Sequence, residues 1–409
     1  MDLFLKKDIL WNGSMARNTV KTERLLAIIA IFTIILAWII GYWRAGGDVT
    51  PYLHEAFPQA GYFQPVGNGY YQAWESQSRE TLLGYVTVGS ANGYGGPMQV
   101  AVAVDLEGQV LGLSVVRQKE TPAWMQRVLK SDLFDSLIGK SYADDFELGD
   151  DVDGVSGATY TSRAIVEVVQ EGSREIVGSQ LGLPVPVQDK PRIILGIPEI
   201  TLILLFAAGY IGHQQHFKYK KQIRWVSMLV GLIVLGFVYN NPLTIAFINK
   251  LLMGYFPDWH TSLYWYLLLG GILFVYTVDN KNPYCEWFCP FGAAQECMGA
   301  IGGAKVRTLA EYRTTLVWIQ RGLAWLAIVV ALLFRNPGIS SYEVFGTLFS
   351  LIGSGFQFIL LGIILVAALF LKRPWCSYLC PLRPVTDLIR LVRKWVIETW
   401  QKRNLKPVA

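Results

Sequence analysis

Residues 25–43, LLAIIAIFTIILAWIIGYW, form an uncharged run of 19 residues, enough to cross a hydrocarbon core of about 30 Å as a helix. No other feature restricts the fold as strongly, because backbone in lipid must satisfy its own hydrogen bonds. The run is too long for a signal-peptide core. Trp43-Arg44 is also a poor small-residue cleavage site, so the run reads as a retained anchor. Further apolar segments follow at 198–217, 225–240, 261–277, 314–334 and 347–371, which predicts about six transmembrane helices. Residues 243–256 read as an interfacial helix between two of the shorter segments. Composition agrees, since only 16% of residues are charged, against about 25% in soluble domains. The net charge of +5 argues against a nucleic-acid partner and leaves the lipid bilayer as the medium.

Charge distribution sets the expected orientation. With the N-terminus inside, the cytoplasmic pieces 1–24, 213–224, 278–313 and 372–409 hold 22 Lys and Arg, and the two short outer loops hold only Lys250 and Arg335. Both termini are therefore expected in the cytoplasm of a bacterial inner-membrane protein. Four regions follow: 1–44 as N-terminus and anchor, 45–190 as a periplasmic domain, 191–382 as a five-helix membrane domain, and 383–409 as a basic amphipathic tail.

Residues 45–190 differ from the rest. They carry Gly-rich turns, alternating runs at 99–104 and 110–116, a helical stretch at 122–138 and an acidic patch at 144–153, the pattern of an α+β domain. Their most informative string is Asp153-Gly154-Val155-Ser156-Gly157-Ala158-Thr159-Tyr160-Thr161-Ser162, placed just ahead of an expected helix at 163–172. Small residues and hydroxyls before a helix suit a phosphate, because the N-terminal N–H groups favour an anion and Gly and Ala let it approach. The plainer reading is an ordinary helix cap.

The longer string resembles the flavin-attachment motif of the FMN-binding domain carried by the sodium-pumping NADH:quinone reductase and by the Rnf complex. That resemblance implies that a flavin transferase esterifies Thr161 with the phosphate of FMN. Asp153, Ser156, Gly157, Ala158, Thr159 and Tyr160 would form the rest of the motif. Gly93-Tyr94-Gly95-Gly96-Pro97 and Glu120-Thr121-Pro122 resemble two further pieces of the same domain, adding Tyr94, Glu120 and Thr121 to the expected flavin site. The likeness covers about residues 80–172 and leaves 45–79 unaccounted for.

All five cysteines lie in the last third of the chain. Cys285-x-x-x-Cys289-Pro and Cys376-x-x-x-Cys380-Pro repeat one pattern after the fourth and sixth apolar segments, with Pro283 and Pro374 at matching positions. Four thiolates suit a soft metal. An iron–sulfur cluster, a zinc or single iron ion, and unliganded buried thiols all fit the spacing, and a flavin on the same chain favours iron. Cys297 reads as a free thiol. His213 and His216 share a helix face. Arg321 is expected to snorkel to the inner surface, and Glu199 to sit in the first turn of a helix.

An anchor, a flavin domain, a helix bundle and two C-x-x-x-C-P motifs, in that order, resemble the regulator and maturation protein of nitrous oxide reductase. The chain stops about 30 residues after Cys380, which implies that it lacks that family's ferredoxin-type domain. The resulting expectation is an α-helical integral membrane bundle with an inserted α+β extracytoplasmic FMN-binding domain. It would pass electrons between a cytoplasmic, membrane or quinone donor and a periplasmic acceptor, with other redox subunits as partners. A redox-sensing or assembly factor for a periplasmic metalloenzyme, and a component of an ion-pumping redox complex, are the alternatives. On this reading iron lies inside and flavin outside, separated by most of a bilayer. Either the cluster sits deeper than expected, the flavin domain moves, or a partner supplies a carrier.

Overall fold

The computed structural model describes residues 13–44, 46–67, 69–120, 122–155, 159–186, 193, 195–212, 218–280, 282–304 and 313–404. Helix α1 (Gly13–Arg44) contains the anchor. Its large side chains stay mostly uncovered by the rest of the chain, Ile28 and Phe32 each by 64%, as expected where lipid is the neighbour.

The α+β domain follows. Helix α2 (Thr50–Ala56) precedes five strands, β1 (Tyr62–Gly67), β2 (Tyr70–Trp74), β3 (Leu82–Asn92), β4 (Pro97–Asp105) and β5 (Val110–Arg117). They form one antiparallel meander in chain order. Residues 45–79, which the family likeness left unaccounted for, thus supply α2 and the first two strands. Side chains alternate across a strand, and β4 is apolar on both faces. Met98, Val100, Val102 and Val104 enter one core. Ala101 and Ala103 enter a second with Leu53, Ala56 and Phe57 of α2.

Helices α3 (Pro122–Leu129) and α4 (Leu133–Leu137) replace the single helix expected at 122–138. The Ser131 hydroxyl bonds back to the Val128 carbonyl at 2.6 Å and so ends the first helix. Helix α5 (Thr159–Ile176) covers the first core. It starts four residues before the expected 163, so Thr161 lies within its first turn.

The helical part comprises α6 (Ile197–Gly212), α7 (Lys220–Val230, continuing as a π-helix to Val238), α8 (Ile245–Met253), α9 (Leu263–Asp279), α10 (Pro290–Gly302), α11 (Arg313–Phe334), α12 (Phe345–Phe349), α13 (Gly355–Phe370), α14 (Pro374–Tyr378) and α15 (Leu382–Asn404). Among the described residues, three helices are long and apolar enough to cross a membrane: Leu25–Arg44, Lys220–Val238 and Thr314–Phe334. Ile197–Gly212, Leu263–Val278 and Gly355–Phe370 are shorter apolar helices. The anchor packs on α11, where Trp325 Nε1 donates to Thr33 Oγ1 at 3.0 Å and Ala37 joins Ile328, Ala331 and Leu332. Glu199 sits in the first turn of α6 as expected, accepting the Gly196 N–H at 2.9 Å.

One expectation fails here, because hydropathy does not report backbone breaks. The run at 347–371 is not one helix: α12 stops at Phe349, and Ser354 with Gln357 builds a capping box that starts α13 afresh. Just before the cysteine motifs, Asn280 and Arg373 adopt left-handed φ values of 52° and 48°. Trp287 and Trp375, one beside each cysteine pair, are each 1% exposed.

The α+β domain rests directly on the helical part. Asn92 Nδ2 donates to the Phe256 carbonyl at 3.4 Å, and the Lys250 ammonium of α8 donates to the Tyr94 carbonyl.

Candidate redox sites

Thr161 is 1% exposed, and its hydroxyl lies against the Glu120 carboxylate. Glu120 is equally buried. Its Oε1 accepts the Gly95 N–H at 3.1 Å, while its Oε2 and the Ser162 hydroxyl are buried without a full hydrogen-bond partner. Burial raises the Glu120 pKa, opposed by the Gly95 N–H and by the charge of Lys250. Burial also pulls the Lys250 ammonium down to about 8, opposed by Glu120.

The glycines of the expected Gly93–Pro97 turn have a steric cause. A Cβ at Gly93 would collide with Glu120 Oε1, and one at Gly95 would collide with the Lys119 carbonyl oxygen. Only glycine lets this loop close over the carboxylate. Tyr94 extends from it over Lys250, 5.4 Å from ammonium to ring centroid, and lies 6.4 Å from the ring of Tyr160. The Asp153 backbone N–H donates to Ser136 Oγ at 3.2 Å, and its side chain is exposed. Thr121, Ser156, Gly157 and Ala158, and the side chain of Thr159, lie outside the described residues.

The second site gathers all four expected cysteines. Cys285, Cys289, Cys376 and Cys380 line one cavity of about 340 Å³. Among the described residues, no group of three His, Cys, Asp or Glu side chains is placed to hold a single metal ion. Four thiols on one cavity are the soft donor set of a cysteine-ligated metal centre, and the residues present fit such a group. Cys297 does not line this cavity. Arg321 stacks on Trp318, 5.0 Å to the ring centroid. His213 and His216 lie outside the described residues.

Several residues at this site were not anticipated. Asn282 Nδ2 donates to Cys285 Sγ at 3.0 Å, and Gln295 Nε2 reaches Cys376 Sγ at 3.5 Å. Arg373 joins the two halves. It donates to the Cys285 carbonyl at 2.5 Å and pairs with Glu296 at 2.7 Å, and Glu296 also pairs with Arg224. The repeat held the signal for two of them: Asn282 and Arg373 each stand three residues before the first cysteine of a motif.

Between the sites lies a smaller cavity, about 100 Å³, lined by Tyr94 and Trp124 of the α+β domain and by Thr244, Glu343 and Phe345 of the helical part. Phe345 also lines the cysteine cavity. Both Glu343 oxygens accept the Ile245 N–H at 3.0 Å, at the start of α8. Burial pushes Glu343 up to about 8 from an ordinary 4.5. The native state therefore holds a proton there that the unfolded chain has lost, so this stabilisation is full below 4.5 and fades as pH rises through 8. The thermal midpoint of the detergent-purified protein should fall between about pH 5 and pH 8, and Glu343→Gln should flatten that slope.

Comparison with known families bears directly on both sites. The FMN-binding domain family matches residues 93–173, and a 4Fe-4S binding domain family matches 261–308 and 355–398. Protein NirI of Paracoccus denitrificans is 28% identical over 212 residues, 46% of this chain and 30% of that protein. The G subunit of the proton-translocating ferredoxin:NAD(+) oxidoreductase complex of Clostridium ljungdahlii is 29% identical over 115 residues, 27% of this chain and 62% of that protein. The G subunit of an ion-translocating oxidoreductase complex of Stutzerimonas stutzeri is 39% identical over 89 residues, 20% of this chain and 39% of that protein. The chain thus spans less than two thirds of each of these relatives.

The class is a redox protein with apolar helices that combines a match to the FMN-binding domain family with a match to the 4Fe-4S binding domain family. Within it, the chain is similar to Protein NirI, and its FMN-binding and 4Fe-4S segments stand in the order expected from the resemblance to the nitrous oxide reductase regulator. One expectation is corrected. The chain does not lack an iron–sulfur domain, because the 4Fe-4S family covers both cysteine motifs. The expected absence rested on the usual ferredoxin string, whereas the matched family covers two C-x-x-x-C-P motifs in separate segments.

Proposed function

We propose that this chain is a transmembrane electron conduit. It joins a four-cysteine iron–sulfur centre to FMN esterified at Thr161, and delivers electrons from a cytoplasmic or membrane donor to a periplasmic acceptor. The single observation that carries this reading is Phe345, which lines both the cysteine cavity and the cavity beneath the flavin domain. That shared residue supports a path between the two redox sites through the packed side chains around Phe345.

FMN takes up one or two electrons and an iron–sulfur cluster takes one at a time, so the pair connects two-electron and one-electron partners. The chain's own residues supply the setting. Thr161 provides the ester oxygen at the start of α5, where backbone N–H groups favour a phosphate. Glu120, hydrogen-bonded to the Thr161 side chain, would accept the hydroxyl proton during esterification by a flavin transferase. With a flavin dinucleotide as donor, an Oγ–P bond would form, the pyrophosphate P–O bond would break and AMP would leave. Cys285, Cys289, Cys376 and Cys380 would hold the metal centre, Asn282 and Gln295 donate toward its sulfurs, and Arg373 offsets thiolate charge. Phe291, Phe345 and Trp375 pack on one another and form the apolar wall of the cavity.

The distribution of Lys and Arg supports placing both termini in the cytoplasm and residues 45–190 in the periplasm. The similarity to components of ion-translocating complexes extends over only 89 and 115 residues, so it supports the flavin domain and not an ion pump. The test is reconstitution into liposomes with a reductant confined to the side of the basic tail. Flavin absorbance should bleach in the wild type and stay oxidised in Cys289→Ser. Equal bleaching in both would defeat the conduit.

A further inference from the structure

Lysine is almost never fully buried unless paired, yet Lys250 is 8% exposed on a helix outside the flavin domain. It reaches across the domain boundary to the Tyr94 carbonyl, lies over the Tyr94 ring, and acts on the Glu120 carboxylate that faces Thr161. Before esterification the buried group is balanced: one ammonium, one carboxylate, and a neutral hydroxyl against that carboxylate. Esterification removes the hydroxyl hydrogen and adds a phosphodiester with one negative charge, and buried charge must be paired to persist. Two polar atoms already stand there without a full partner, Glu120 Oε2 and Ser162 Oγ, both on side chains at most 1% exposed. Lys119, the neighbouring cation in sequence, instead lines a separate cavity with Arg117 and Arg335.

We propose that Lys250, supplied by the helical part, is the counter-cation of the phosphodiester at Thr161, so that loading the flavin phosphate tightens the flavin domain onto the membrane end. This rests on the attachment of FMN at Thr161. The phosphate gains a charge-assisted hydrogen bond from the ammonium, and the ammonium gains a full negative partner where it had shared one carboxylate. The flavin domain then carries part of its own docking contact, and an unloaded domain is held less firmly.

The test uses the full-length protein in native membranes. Cysteines at Asn92 and Phe256, whose side-chain amide and carbonyl are 3.4 Å apart, report docking through their disulfide cross-linking rate. In this background Lys250→Met and Thr161→Ala should each slow cross-linking about tenfold, the scale of one charge-assisted hydrogen bond. The double variant should be no slower than either single, because both remove the same interaction. Lys250→Arg keeps the charge and should restore the rate, which separates loss of charge from misfolding. In-gel flavin fluorescence runs alongside. Absence of covalent flavin in the parent protein overturns the attachment and this inference with it. Covalent flavin with an unchanged rate in Lys250→Met, or fully additive effects, overturns the role of Lys250 alone.

Discussion

Thr161→Ala is expected to abolish covalent flavin completely, read as loss of the fluorescent band under denaturing electrophoresis and of the flavin mass on the intact chain. The hydroxyl is the only atom of this residue that can form the phosphoester, and it sits where helix N–H groups and Glu120 converge. Thr161→Ser keeps an oxygen in the same turn and should retain flavin. The structural cost of the alanine is modest: Glu120 loses one neighbouring donor, roughly 1–3 kcal/mol for a buried group. Iron content should therefore stay at the wild-type level in Thr161→Ala, which shows that the chain has folded. A fluorescent band that survives the substitution would move the attachment elsewhere.

Serine in place of any one of Cys285, Cys289, Cys376 and Cys380 should reduce bound iron and acid-labile sulfide to near zero after anaerobic purification. Each thiol lines the same cavity, and the two pairs come from opposite ends of the 4Fe-4S domain, so no pair is complete alone. Cys297→Ser is the internal control. It removes a thiol outside that cavity and should leave iron unchanged. Iron retained in two or more of the four variants would break the four-cysteine assignment. Covalent flavin should persist in all of them, because Thr161 and the residues around it lie on a separately packed core.

Much of this was legible because the chemistry is written locally. Thr161, Glu120 and Tyr94 occupy short strings whose meaning depends on neighbours in sequence, and the glycines at 93 and 95 are there because a carboxylate and a carbonyl occupy the space a Cβ would need. The cysteine repeat was equally plain. Lys250, Glu343 and Arg373 were not, because their roles come from partners 156, 98 and 88 residues away. A lysine in a short outer loop looks like any topology marker until a second domain covers it. Arg373 counted only as one more basic residue at a helix end, although it precedes the second cysteine pair and bonds to the Cys285 carbonyl of the first.

By itself the sequence determined the kinds of chemistry and their order along the chain: an apolar first helix, an FMN-binding-domain string rich in hydroxyls, and two thiol pairs after apolar helices. It could do so because hydropathy, small-residue loops and cysteine spacing are properties of contiguous residues. Only the tertiary structure decided which distant residues meet. Four thiols from two separated segments line one cavity, the α+β domain sets Tyr94 on Lys250, and Phe345 lines both the cysteine cavity and the one lined by Tyr94. Such meetings are set by long-range packing, which hydropathy cannot register.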